Sequence, residues 1–177
     1  ANEEDIKDKN EQEEKALRKD KRLIDFVEIK RMEGVALDVF VKKNNLSMAS
    51  VVKEAKFMKN FSENDPIASF SYIFDAFVKT KDEELFVDIR YVRNSFSSML
   101  MRDRIYALLS KIYVYKLVTK ANASLVLVLI FDGSVLEEKE ENGMLKLLNR
   151  NFYPALVNGI LKIEVMSRQE LKINESN

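Results

Sequence analysis

The hydrophobic and polar positions divide the chain near residue 23. Residues 1–22 hold fifteen charged side chains, eight acidic and seven basic, and only Ile6 and Leu17 are large and apolar. Such a segment cannot bury enough surface to order itself against a core. It is expected to be a charged tether or a frayed helix, with pairs such as Glu11–Lys15 and Glu14–Arg18 contributing about 0.3–0.5 kcal/mol each. From Leu23 onward the spacing turns helical: Ile29, Met32, Ala36, Val39 and Phe40 make one stripe, which Leu37 and Val41 widen. Gly34 lies inside that helix and is expected to mark the close approach of a neighbouring helix.

Asn44-Asn45 is a stop signal, and Ser47 or Ser50 can cap a following helix that carries Val51, Val52, Ala55, Phe57, Met58 and Phe61. Asp65-Pro66 starts another, because proline at the first helical position loses no needed amide. That helix bears Ile67, Phe70, Ile73, Phe74, Phe77 and Val78, and Thr80 with Glu83 fits a capping box. Residues 83–119 contain neither Gly nor Pro. Leu85, Ile89, Val92 and Phe96 define one face and Ile105, Leu108, Leu109 and Ile112 another, out of phase, so a break near Ser95–Ser98 is preferred over one long helix. Leu125–Phe131 is the longest apolar run, seven residues. A lone strand has nothing to pair with, so this run is expected to be the central, most buried helix. Asp132-Gly133 and Asn142-Gly143 mark turns, and short helices are expected over 144–151 and 154–166. The expected fold is therefore all-α: one bundle of about six to eight helices over 23–166, the arm before it, and a loose polar tail over 167–177.

Composition narrows the chemistry. The chain has no histidine, no cysteine and only four glycines in 177 residues. A histidine general base, a cysteine nucleophile and a zinc site of the usual ligands are excluded within one chain. Gly34, Gly133, Gly143 and Gly159 are too far apart to build a phosphate-cradling loop. No catalytic residue, metal ligand or cofactor is assigned. Net charge is zero, from 29 basic and 29 acidic residues, which argues against a domain built mainly to coat nucleic acid.

Charge is nevertheless uneven. Between Arg90 and Lys120 seven basic residues face a single acid, Asp103, with Tyr91, Tyr106, Tyr113 and Tyr115 interleaved. Arg93, Arg104 and Lys111 are spaced eleven and seven apart, near whole helical turns. Arg90, Arg93, Arg104 and Lys111 are thus a candidate polyanion site, combining phosphate contacts with stacking surfaces. The competing reading is a solvated face paired with Glu137–Glu141 or with the acidic arm. Glu83, Glu84 and Asp88, or Glu137–Glu141, could gather a cation weakly. The aromatic residues Phe57, Phe61, Phe70, Tyr72, Phe74 and Phe77 read as core. Asn60, Asn122 and Asn174 open short Asn-x-Ser triplets without supporting context.

The charged opening Asn2-Glu3-Glu4-Asp5-Ile6-Lys7-Asp8-Lys9-Asn10-Glu11, followed by a cysteine-free domain rich in Lys, Asn, Ile and Phe, resembles the mature ectodomains of helical surface lipoproteins of Borrelia spirochaetes. The resemblance lies in composition and organisation across the chain. It implies a helical bundle at the cell surface, held by a lipid anchor upstream of Ala1, and a non-enzymatic role in binding a host protein or a glycosaminoglycan. The alternative is an intracellular, cytoplasmic helical adaptor or a non-specific nucleic-acid-binding protein.

Overall fold

In a computed structural model, residues 2–18, 26–56, 73–92, 98–131 and 135–175 are described. They form an α/β fold around a five-stranded mixed sheet, which overturns the expected all-α bundle. Helices α1 (Glu3–Arg18) and α2 (Phe26–Lys43) come first. Strands β1 (Val51–Lys56), β2 (Ile73–Lys79) and β3 (Glu84–Val92) follow, then α3 (Ser98–Thr119), β4 (Ala123–Phe131), α4 (Val135–Asn158), β5 (Leu161–Ser167) and α5 (Arg168–Glu175). The sheet order is β1-β2-β3-β4-β5. β1, β2 and β3 run antiparallel in turn, and β3, β4 and β5 run parallel.

The run Leu125–Phe131 is the centre of the sheet, not a helix. Every residue of β4 is buried, as in a parallel strand covered on both faces, where the apolar run is continuous and the two-residue alternation disappears. It has partners on both sides, Leu125 opposite Phe86 and Leu161. β3 escaped notice for the same reason: Leu85 and Ile89 are four apart, which suits a helix as well as a strand. Thr80 and Glu83 do interact as a capping box would, the Glu83 N–H donating to Thr80 Oγ1 at 3.1 Å. Here the bond closes the β2–β3 turn, alongside Thr80 N–H to Glu83 O at 2.9 Å.

Helices cover both faces. α2 and α5 pack on one, where Ile29, Met32, Ala36, Leu37 and Phe40 meet Val87, Ile89, Val126 and Val128. α3 and α4 pack on the other, against Phe86, Leu125, Leu127 and Leu129. Both parallel crossovers lie on that second face, as expected when successive connections keep one hand and the sheet grows in one direction. Tyr115 of α3 sets its ring edge-on to Phe86, centroids 5.1 Å apart, and donates its hydroxyl to Glu84 at 2.7 Å.

The helix boundaries follow local chemistry. α2 stops where Asn45 turns left-handed, at φ 53°. Ser47 caps the short 3-10 turn Met48–Ser50, which leads into β1 instead of the expected helix. Asn142-Gly143 lies inside α4, not at a turn. α4 kinks at Phe152, two residues before Pro154, because Pro154 has no amide to give the preceding turn. Residues 161–166, expected to be helical, form β5 together with Ser167, and Arg168–Glu175, expected to be loose, is α5 with Leu171 buried. Among the described residues nothing lies within 4 Å of the Cβ position of Gly34, so none of their helices packs closely against it. Asp65-Pro66, Ser95 and Asp132-Gly133 lie outside the described residues. Among the described residues, no helix is long and apolar enough to cross a membrane.

Candidate functional site

β2 and β3 each carry one carboxylate in an otherwise apolar stretch. The β2–β3 pairing ends with Ala76 opposite Val87, so Asp75 and Asp88 are the first residues beyond it on their strands. Asp88 has no exposed surface. Its Oδ2 lies 3.3 Å from Nε of Arg90, two residues on in β3, and 3.5 Å from Nε of Arg104 on α3. Asp75 Oδ2 accepts a hydrogen bond from the Ile89 backbone N–H at 2.7 Å, and its Oδ1 accepts one from Lys9 Nζ at 2.8 Å.

Two helices and the edge strand complete the cluster. Glu33 of α2 pairs with Lys30 one turn earlier at 3.3 Å, and Lys30 also pairs with Glu13 of α1. Lys9 of α1 reaches Glu54 of β1 at 2.7 Å and Glu13 at 3.9 Å. The Lys9 side chain is only 9% exposed. Glu54 has left-handed backbone, φ 52°, a conformation unusual for a residue with a side chain.

Burial and mutual repulsion set the protonation of these groups. Burial, with the charge of Asp75 beside it, pushes Glu33 up to about 8 against the opposing pull of Lys30. Burial also pushes Asp75 up to about 6; Asp88 adds to the rise, and Lys9 and Arg90 resist it. For Lys9, burial opposes the charge, but Asp75, Glu54 and Glu13 outweigh it and hold the ammonium well above the usual lysine range. The cluster is thus crowded with carboxylates and neutralised in part by protons and in part by an ammonium group from α1.

Two of the four sequence candidates meet here. Arg90 and Arg104 converge on Asp88 from a strand and a helix, not from one helical face. Lys111 lies seven residues further along α3, about 10 Å by helical rise, and does not join them. Arg93 lies outside the described residues. The acidic candidates separate: Glu83 pairs with Lys162 at 2.8 Å, and Glu84 is four residues from Asp88 along β3, about 13 Å away. The side chains of Glu137–Glu141 lie outside the described residues. Phe74 and Phe77 stack on Phe86 in the core, as expected, while Phe57, Phe61, Phe70 and Tyr72 lie outside the described residues. Of the triplet asparagines, Asn122 and Asn174 donate to the backbone carbonyls of Asp82 and Glu170, and Asn60 lies outside the described residues.

Lys9, Glu33 and Asp75 were missed in the sequence. A signal existed for Asp75 and Asp88, each a lone charge within an apolar run, Ile-Phe-Asp-Ala-Phe-Val and Leu-Phe-Val-Asp-Ile. None marked Lys9, which sits among equally charged neighbours. Among the described residues, no three acidic side chains are arranged to hold a metal ion as they stand. An open cavity of about 480 Å³ beside α2, lined by Val35, Asp38, Leu46, Met48 and Asn174, shares no residue with the cluster. Comparison with protein-family models, curated proteins and solved structures finds no match.

Proposed function

We propose that the chain is a divalent-cation-dependent phosphodiesterase acting on nucleic acid, with Asp75 and Asp88 as cation ligands and Glu33 beside them. The observation that supports this most is the fully buried Asp88 between the guanidinium groups of Arg90 and Arg104, with the mostly buried Asp75 next along the adjacent strand. Structural packing alone does not call for such a group, because charges taken out of water cost several kcal/mol each. The donors are all hard oxygens, which suit Mg²⁺ or Mn²⁺. Mg²⁺ binds through one or two carboxylates and completes its shell with water and substrate phosphate, so three converging acids are not needed. A dication also favours the charged forms of Glu33 and Asp75.

In this reading Asp75 and Asp88 would hold the cation, which would supply an acidified water for hydrolysis of the phosphodiester, one P–O bond being exchanged for another and the departing oxygen taking up a proton from solvent. Arg90 and Arg104 stabilise the added charge on the phosphoryl oxygens. α3 also presents exposed Tyr106 and Tyr113 with Arg102 and Lys111, a set suited to stacking bases and contacting a phosphate backbone. The test is cleavage of labelled single-stranded DNA, duplex DNA and RNA with Mg²⁺, with Mn²⁺, or with a chelator. Cleavage that requires the cation and vanishes in Asp75→Asn and Asp88→Asn supports the reading. No cleavage by folded wild-type protein on any of the three sinks it.

The second proposal is the non-enzymatic binding role, with its lipid-anchored cell-surface setting. It is supported by the outer side of α3, where Tyr106, Tyr113 and Leu117 are 46–70% exposed and share a face. Tight binding of heparin or a host protein by a chain without cleavage activity, lost on replacing these residues, favours it over the first.

A further inference from the structure

Helix α3 is apolar on both sides. Its inner side, with Ile105, Leu108 and Ile112, is buried against the sheet. Its outer side carries Tyr106, Tyr113 and Leu117, spaced seven and four apart and 46–70% exposed, where a helix facing water carries polar residues. α4 lies beside it, the Tyr106 ring 4.7 Å from that of Phe152. The exposed stripe of α4 continues the pattern with Tyr153 and Val157, four apart. Among the described residues, eight of the twelve large apolar side chains open to solvent lie on these two helices, so the patch belongs to one layer of the fold and not to the surface at large.

Charge on this layer has one sign. The segments 104–120 and 144–158 contain six basic residues and no aspartate or glutamate, in a chain whose net charge is zero. Arg104 is taken up by Asp88. Lys146 and Arg150 are exposed on the same stripe of α4 as Tyr153 and Val157, and among the described residues neither has an acidic partner.

We propose that the outer side of α3 and α4 rests on an anionic lipid bilayer, with Leu117 and Val157 at the acyl boundary, the tyrosines at headgroup depth, and Lys146 and Arg150 on the lipid phosphates. The proposal uses none of the buried carboxylates and is independent of the cation-dependent reading above; from the host-protein reading it differs in its occupant. The side chains decide that occupant. A second copy of the chain, in the usual two-fold arrangement, would bring like charges together. Nucleic acid uses cations and tyrosines but offers nothing to aliphatic side chains as exposed as Leu117 and Val157. A bilayer surface takes all three classes: basic residues at the phosphates, tyrosines at the interface and aliphatic residues just below. The contact is peripheral, since among the described residues no helix is long and apolar enough to cross.

The test is sedimentation of the full chain with vesicles of phosphatidylcholine, alone or mixed equally with phosphatidylglycerol. The chain has no tryptophan, so Leu117→Trp sets a single fluorescent reporter in the face. Ile173→Trp sets one at an exposed position of α5, across the sheet. The expected result is binding to the anionic vesicles alone, weakened by NaCl, with emission shifted to the blue for Leu117→Trp and unchanged for Ile173→Trp. Each basic residue removed should lower binding about fivefold, so Lys146→Gln combined with Arg150→Gln should lower it by about tenfold or more. A blue shift at Ile173→Trp in place of Leu117→Trp overturns the assignment of the face. Sedimentation with neither kind of vesicle overturns the proposal, and tight binding of a single-stranded oligonucleotide that the double variant loses would then give the face to nucleic acid.

Discussion

Asp75 holds the strand beside it: its Oδ2 accepts the Ile89 N–H at 2.7 Å just where the β2–β3 pairing ends. A side-chain carboxylate thus takes the place that a main-chain carbonyl fills elsewhere in the ladder. Asp75→Ala leaves a buried N–H and the Lys9 ammonium without this partner, and should cost about 3 kcal/mol by urea denaturation. Asp75→Asn keeps an acceptor for Ile89 and should cost about 1 kcal/mol. Equal losses in the two variants would show that the Ile89 bond contributes nothing.

Asp88 and its two arginines form a second test. Asp88→Ala strands the charges of Arg90 and Arg104 near the core and should destabilise by about 3–5 kcal/mol. Asp88→Asn retains the shape and some hydrogen bonding, so the fold should survive while cation-dependent cleavage is abolished. Thermal melts and the cleavage assay, run side by side, separate the two effects.

Glu33 makes stability depend on pH in a direction opposite to that of an ordinary salt-bridged acid. Its folded pKa of about 8 lies above the ordinary value of 4.5, so the folded state holds a proton that the unfolded chain has released. That contribution is complete below pH 4.5 and is lost as the pH climbs through 8. Asp75, raised from 3.8 to about 6, acts in the same sense at lower pH. With chelator present, the urea midpoint should fall between pH 5 and 8.5, by an amount on the order of a few kcal/mol in stability. Glu33→Gln should flatten the upper part of that slope, and a variant with the wild-type slope would rule Glu33 out as its source.

The basic residues of α3 should divide by location. Arg104→Ala breaks an ion pair with a fully buried carboxylate and should cost roughly 2–3 kcal/mol of stability. Lys111→Ala should leave stability within about 0.5 kcal/mol. It should instead reduce by about one the salt slope of any nucleic-acid binding, the mark of a single phosphate contact. A stability loss at Lys111 as large as at Arg104 would contradict this division.

How much of this was legible depended on exposure. α2 has one face in the core and one in water, so the stripe from Ile29 to Val41 was readable, as was its stop at Asn44-Asn45. β4 is buried on both faces, and burial on two sides erases the alternation that identifies a strand. Leu127 stands for that error: taken as helical, it lies between Asp88 and Ile163 in a parallel sheet. Without β4, the strands around it had no partner, and their leucines and isoleucines fell into helical spacing by coincidence. The site suffered likewise. Arg104 was selected with Arg93 and Lys111 as one face of a helix and Arg90 as part of the same basic stretch, yet Arg90 and Arg104 are neighbours only because β3 and α3 pack together around Asp88. Lys9 lies 66 residues from Asp75, and no local pattern encodes that pairing.

The sheet joins two kinds of connectivity, and the carboxylate pair sits in the quicker half. β2 and β3 are linked by a turn closed by Thr80 and Glu83, a hairpin that can zip in microseconds. The β3–β4 and β4–β5 pairings each wait for a whole helix to be laid across the sheet, and such distant closures are slow. Asp75 and Asp88 should therefore come together early in folding, before α3 delivers Arg104. During that interval two acids stand together while the guanidinium of α3 is still to arrive, and a polycation or divalent ion bound to them at that time would repel Arg104 and slow the late steps of assembly.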